Sequence, residues 1–187
     1  LFCSPEEVLN LGCGSKFLAR AVDGLNAYWQ GVAQQRNYLV SESEGDSESA
    51  CWKRFVVRRH RTDTAVRSLW WRIDSRLTHR DIARFRPGLE GEAALLAAQR
   101  TLGVRIPLSL QRSLLYRNGE WLEGHVVGGG FVFGCRLLPL DDIIAAWRER
   151  TLFRRLYLLP VTSYAGAVCF AVGVAPLQGE QERKSDN

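Results

Sequence analysis

Two pairs of carboxylates stand close enough in the chain to suggest acid–base work. They are Asp141 with Asp142, and Glu120 with Glu123, and His125 follows the second pair. Such a pair does general acid–base chemistry when a histidine or a metal cluster completes it. Neither pair has that company. Asp141-Asp142 reads as a helix N-terminus, where negative charge offsets the helix dipole. Glu120 and Glu123 flank Trp121 in a loop, and His125 beside them reads as a surface residue. Metal chemistry fares no better. Cys3, Cys13, Cys51, Cys135 and Cys169 are odd in number and contain no C-x-x-C pair, and His60, His79 and His125 stand apart from one another and from any cysteine. That argues against a zinc site or a disulfide framework. Reduced thiols fit a cytoplasmic or nuclear protein. Gly128-Gly129-Gly130 suggests a phosphate loop, but no G-K-[ST] follows and the G-x-G-x-x-G spacing fails. A hairpin or bulge beside Phe131 and Phe133 is the expected structure. The expectation is a non-enzyme with no metal and no cofactor.

What, then, are these residues mounted on? The 187 residues suffice for one large domain or two small ones, and 46% apolar with 24% charged residues is a globular composition. The net charge is +5; only Lys16, Lys53 and Lys184 are lysines, and the other basic residues are arginines. There is no methionine, as expected of a chain that begins inside a longer product. Leu156–Leu177 carries no charge and is long enough for a membrane span. Pro160, Thr162, Ser163, Tyr164 and Gly166 interrupt it, so two strands over about 156–161 and 167–174 are expected there and no membrane partner. Residues 1–33 have polar and acidic side chains where a secretory signal needs an apolar core.

Ser4-Pro5-Glu6-Glu7 is a capped helix start. Val8, Leu9 and Leu11 follow, and Gly12 and Gly14 end the turn. Ser15 starts a second short helix carrying Phe17, Leu18 and Val22. Asp23 starts a third with Leu25, Tyr28, Trp29 and Val32. Residues 41–49 form an acidic, low-complexity loop with nothing to bury, expected to be mobile. From Lys53 to Arg86 eleven basic residues face three acids. Val66, Leu69, Trp70, Ile73 and Leu77 recur at helical spacing, which predicts an amphipathic helix over 64–78 with a basic back. Arg86-Pro87-Gly88 reads as a domain boundary. A helix over 92–102 follows, with Ala94, Leu95, Ala98 and Leu102 on one face. Gly103 stands where a C-cap needs positive φ, and Pro107 forces Ile106 to be extended and opens the next helix. Leu108, Leu110, Leu114 and Leu115 give that helix its core side, and Asn118-Gly119 ends it in a tight turn. Asp141 reads as the N-cap of a helix bearing Leu140, Ile143, Ile144 and Trp147. Residues 178–187 read as a frayed polar tail.

Two arrangements resemble known modules. "CSPEEVLNLGCGSKFLARAVDGLNAYWQGVAQQ" resembles the second half of an F-box, and "CWKRFVVRR" at 51–59 resembles the Trp-Lys segment that trails one. The first F-box helix would precede Leu1, a departure from the pattern. Residues 90–174 resemble the SUKH superfamily (the SMI/KNR type). That likeness rests on Leu-Gly103-Val-Arg-Ile-Pro107, the leucine helix after it, Asn118-Gly119, the Leu137-Leu138-Pro139-Leu140-Asp-Asp step and Leu159-Pro160. An animal family of F-box proteins joins the two through a Trp-containing helix, which Ala65–Leu77 resembles. The likeness implies an α+β fold in five parts. They are an all-helical F-box-like region over 1–38, the acidic loop 39–50, a basic linker over 51–88, a SUKH-like sheet domain over 90–177 and the tail.

The resemblance also implies a substrate receptor of an SKP–cullin–F-box ubiquitin ligase. Pro5, Val8, Leu9, Leu11, Phe17, Leu18 and Trp29 would face the SKP-type adaptor, with the alternative that Leu9, Leu18 and Trp29 simply form the small domain's own core. In the SUKH-like half, Trp121 between Glu120 and Glu123 is the expected anchor for a basic client, an alternative being that Trp121 folds back as core. Two other readings stay open. One is a structural subunit of a large ribosomal or organellar assembly. The other is nucleic-acid binding through 53–86, for which no reading motif is present.

Overall fold

The computed structural model describes residues 26–36, 38, 52–121, 130–131, 134–165, 167–168 and 170–177. The expected helices before Asn26, the acidic loop 41–49 and the tail lie outside these residues. The chain divides into two compact units, Leu1–Arg61 and Thr62–Asn187.

In the first unit, helix α1 (Asn26–Gln35) corresponds to the third helix expected from sequence. Trp29, Val32 and Ala33 recur at i, i+3, i+4, so one face carries the apolar side chains. They are buried with Tyr38, Phe55 and Val56. The last two belong to α2 (Trp52–Asp74), which starts in this unit. Tyr28 meets Trp29 edge to face, and Trp52 meets Phe55 likewise. A core this small depends on wide aromatic surfaces.

Helix α2 is longer than the stripe over 64–78 predicts. The density of arginines in its first half conceals a buried row: Phe55, Val56 and Arg59. The Arg59 guanidinium lies 4.6 Å from the Phe55 ring centre, so its charge is set against an aromatic face. In the second half Trp70 is buried, whereas Leu69 is exposed and leaves the predicted stripe.

The second unit is α+β. After α2 it runs α3 (His79–Ile82), β1 (Phe85–Pro87), α4 (Glu92–Leu102), β2 (Val104–Arg105), α5 (Leu108–Tyr116) and β3 (Arg117–Glu120). It continues with β4 (Arg136–Leu137), α6 (Leu140–Glu149), α7 (Thr151–Leu156), β5 (Leu158–Pro160), β6 (Thr162–Tyr164), β7 (Ala167–Val168), β8 (Ala171–Gly173) and β9 (Ala175–Pro176). All pairings among the described strands are antiparallel: β1 with β3, β2 with β9, β5 with β8, and β4–β6–β7 in order. In the Arg86-Pro87-Gly88 stretch, read from sequence as a boundary, Arg86 and Pro87 belong to β1, which pairs with β3. The uncharged stretch from Leu156 becomes the end of α7 and short strands. Among the described residues no helix is long and apolar enough to cross a membrane.

The core is mostly aliphatic. Leu95, Ala98, Leu102, Val104, Ile106, Leu114, Leu138, Leu140, Ile143, Trp147 and Leu159 pack together, and each fully buried leucine or isoleucine contributes roughly 2 kcal/mol. Ala94, expected on this face, is exposed. Between α4 and α5 the backbone is held by side chains. Gly103 takes the left-handed conformation at φ 68° and its amide donates to the Gln99 carbonyl at 2.9 Å. Ile106, just before Pro107, lies outside β2. The Gln99 side-chain oxygen accepts from its amide at 2.8 Å, and the Gln111 side-chain amide donates to its carbonyl at 2.7 Å. A buried ion pair, Arg112 with Glu92, joins the two helices.

Asn118-Gly119 differs from expectation. It lies inside β3 rather than in a turn. Gly119 has φ 71°, and a Cβ there would stand 2.4 Å from the Pro139 nitrogen. The Asn118 Oδ1 accepts from the Leu140 amide at 2.9 Å, satisfying one free donor at the start of α6. The N-cap is Pro139, not Asp141, and proline has no side chain able to cap. Asn118 supplies that function from β3, while Asp141 and Asp142 fall in the first turn.

Candidate functional site

The site predicted from sequence centres on Trp121, at the end of β3. Its amide donates to the Arg84 carbonyl at 2.9 Å, which fixes the backbone against the start of β1. The residue is 46% exposed. The Arg86 guanidinium stacks over it, 4.8 Å from the ring centre. The tryptophan is therefore neither folded into the core nor loose, but held at the surface by a cation–π contact.

Glu120 is corrected by the structure. Sequence reading placed it as an exposed acid beside Trp121, but it is 0% exposed. Successive residues of a strand face opposite sides, so an outward Trp121 sends Glu120 inward. There its Oε2 accepts from the Leu137 amide at 2.7 Å and the Phe131 amide at 3.3 Å. The Arg84 guanidinium lies 3.7 Å from Oε1. Arg136 donates to the Glu120 carbonyl at 3.3 Å and to Asp142 at 2.7 Å. The carboxylate thus ties β3 to residues 131 and 137, a structural role. Glu123 lies outside the described residues.

Behind this surface is an aromatic cluster that the sequence did not reveal. Trp70 stacks on Tyr116 and on Phe131, with centres 6.0 and 6.4 Å apart, and meets Phe85 edge to face at 5.5 Å. The Trp70 indole N–H donates to Ser113 Oγ at 3.0 Å. Asp74 accepts from Arg117 at 3.0 Å and from the Tyr116 hydroxyl at 3.4 Å. The signal available from sequence was the Trp70-Trp71 pair on one helix: one ring must face in and one out, and Trp71 is exposed.

Of the residues expected to face an adaptor, Pro5, Val8, Leu9, Leu11, Phe17 and Leu18 lie outside the described residues. Trp29 is completely buried in the small aromatic core. Asp141 and Asp142, the acid pair, are not brought to a histidine: Asp142 is engaged by Arg136, and Asp141 is exposed on α6. Among the described residues no group of three or more His, Cys, Asp or Glu is placed to hold a metal ion. Asp81 is held below its ordinary value of 3.8, first because the Thr78 hydroxyl donates to its carboxylate at 2.6 Å, then through the Thr78 amide. It serves the capping box of α3, not chemistry.

No protein-family model and no curated protein matches this chain.

Proposed function

We propose that the chain is a non-catalytic adaptor, the substrate receptor of an SKP–cullin–F-box ubiquitin ligase. The first unit docks the SKP-type adaptor and the second holds a protein client. The observation that carries the client half is Trp121: a tryptophan held half-exposed by Arg86 while the polar groups nearest it, Glu120, Arg84 and Arg136, bond to one another and to backbone. A surface whose charged neighbours serve architecture and whose aromatic stays at the edge suits recognition better than turnover. The adaptor half rests on the F-box-like motif. Work in the cytoplasm or nucleus follows from this reading.

Affinity purification of the tagged chain tests it. Recovery of an SKP-type adaptor with a cullin supports it, and recovery of ribosomal or organellar subunits in their place overturns it. Leu9→Asp with Phe17→Asp is expected to abolish adaptor recovery and leave the second unit folded. Trp121→Ala is expected to lose the client without lowering Tm, because the ring is not part of the core. Undiminished client recovery in that variant would place the client site elsewhere.

A further inference from the structure

A second surface, far from Trp121 in sequence, combines exposed apolar groups with positive charge. Leu152 and Leu156 are one helical turn apart on α7, so they share a face, and they are 63% and 56% exposed. Phe153, the neighbouring residue, packs against the core and fixes which face α7 turns outward. Tyr157 ends the helix and is itself 40% exposed. Arg148, Arg150, Arg154 and Arg155 are all exposed along the same stretch of chain, and Glu149 is the single acid of residues 148–157. Arg154 donates to the Thr151 hydroxyl at 3.2 Å.

The backbone at Tyr157 adds an independent sign. It takes the left-handed conformation, φ 50° and ψ 47°. A bulky side chain pays a steric penalty there that glycine escapes, and such strain collects at working surfaces. The conformation is imposed from outside the helix: the Val174 amide donates to the Tyr157 carbonyl at 2.9 Å, just beyond the β5–β8 pairing. Fold stability alone therefore favours glycine at this corner. The tyrosine and the two leucines each add exposed apolar area at one spot.

We infer that the exposed α7 segment, with Leu152, Leu156 and Tyr157 among the exposed arginines Arg148, Arg154 and Arg155, docks an acidic segment of a partner protein whose own apolar side chains meet the leucines. Charge decides the partner's sign. Arginine and tyrosine are the residues that dominate interface energies when an apolar centre is closed over by a partner. An anionic bilayer fits less well, because a six-residue helix with two leucines offers little of the apolar face that interfacial helices bury. A single-stranded nucleic acid fits less well too, because one tyrosine is a poor stacking platform and the leucines find no use. The inference stands apart from the ubiquitin reading and from the Trp121 surface.

The test pans a phage library of random twelve-residue peptides against the whole chain. Binding of the enriched peptides, of phosphatidylcholine–phosphatidylserine vesicles and of a dT15 oligonucleotide is then measured. Enriched peptides are expected to combine Asp or Glu with Leu, Ile or Phe. Their affinity is expected to fall about tenfold or more with Leu152→Ser plus Leu156→Ser, and again with Arg154→Glu plus Arg155→Glu. Tyr157→Gly is expected to raise Tm while weakening the same peptides. No enrichment, a consensus without acids, binding unchanged in both double variants, or preference for vesicles or dT15 would each overturn the inference. Thermal melting of each variant separates lost docking from lost fold, and the charge-reversal pair keeps the test decisive if the serine pair unfolds.

Discussion

Within the second unit, the aliphatic core and the aromatic flank solve the same packing problem with different materials. The core around Leu159 and Ile143 is apolar, and the polar side chains buried at its edge act in pairs: Gln99 and Gln111 serve the Ile106 backbone, and Arg112 meets Glu92. The flank around Trp70 mixes ring faces with charge: Asp74, Arg117, Arg84 and Glu120 all bond within or beside it. Burial of aliphatic area is non-directional and tolerates shape changes that keep volume. A buried polar network is directional, and losing one member strands the others. Trp121 leaves from this flank, not from the core: its amide bonds to the Arg84 carbonyl and the Arg86 guanidinium lies over its ring.

That contrast can be broken most sharply in the core. Leu159→Ala opens a cavity under α6 and is expected to cost about 2–5 kcal/mol in urea unfolding. Trp121 fluorescence should keep its native character until the whole unit unfolds. Glu120→Ala probes the flank. It leaves the Leu137 and Phe131 amides without their acceptor, and the expected loss is about 1–3 kcal/mol. Its distinguishing sign is faster amide exchange at Leu137 than at Ile106, whereas Leu159→Ala should speed both.

Trp70→Phe sharpens the comparison further. A six-membered ring stays, while the pyrrole ring goes together with its N–H to Ser113; the lost hydrogen bond alone accounts for about 1 kcal/mol. A much larger loss would mean that ring size, as in the core, governs the flank. The smallest effect belongs to Asp81. Its carboxylate is held below 3.8 by Thr78, so the capping box adds stability above the unfolded value and loses it as pH falls through the lower folded one. A carboxyl titration followed by NMR should give a midpoint under 3.8, and Thr78→Val should move it upward.

How far the sequence reveals this difference depends on the material. Helices α4, α5 and α6 follow from leucine spacing and from Gly103 and Pro107, because apolar periodicity and backbone punctuation are local signals. Sheet pairing and the flank are hidden for a physical reason. Glu92, Arg112 and Glu120 are of types that usually meet water, and only partners distant in the chain make their burial tolerable. Glu120 was nonetheless within reach: once 117–120 is taken as strand, alternation alone separates it from Trp121. Asn118-Gly119 misled for the opposite reason. Its turn chemistry is real, but here the left-handed glycine serves the close passage of Pro139.

The knot at Ile106 also bears on the order in which the chain folds. Its three residues, 99, 106 and 111, are near neighbours in sequence, so closing that loop costs little entropy and can happen early. The pairing of β2 with β9 joins Val104 to Pro176, and the Leu177 amide reaches back to the Gly103 carbonyl. That closure spans most of the unit and is expected late, as non-local strand contacts are. The helix–loop–helix at 92–116 is thus a template made before its lid: Gly103, the residue that ends α4, holds the carbonyl on which the last strand locks.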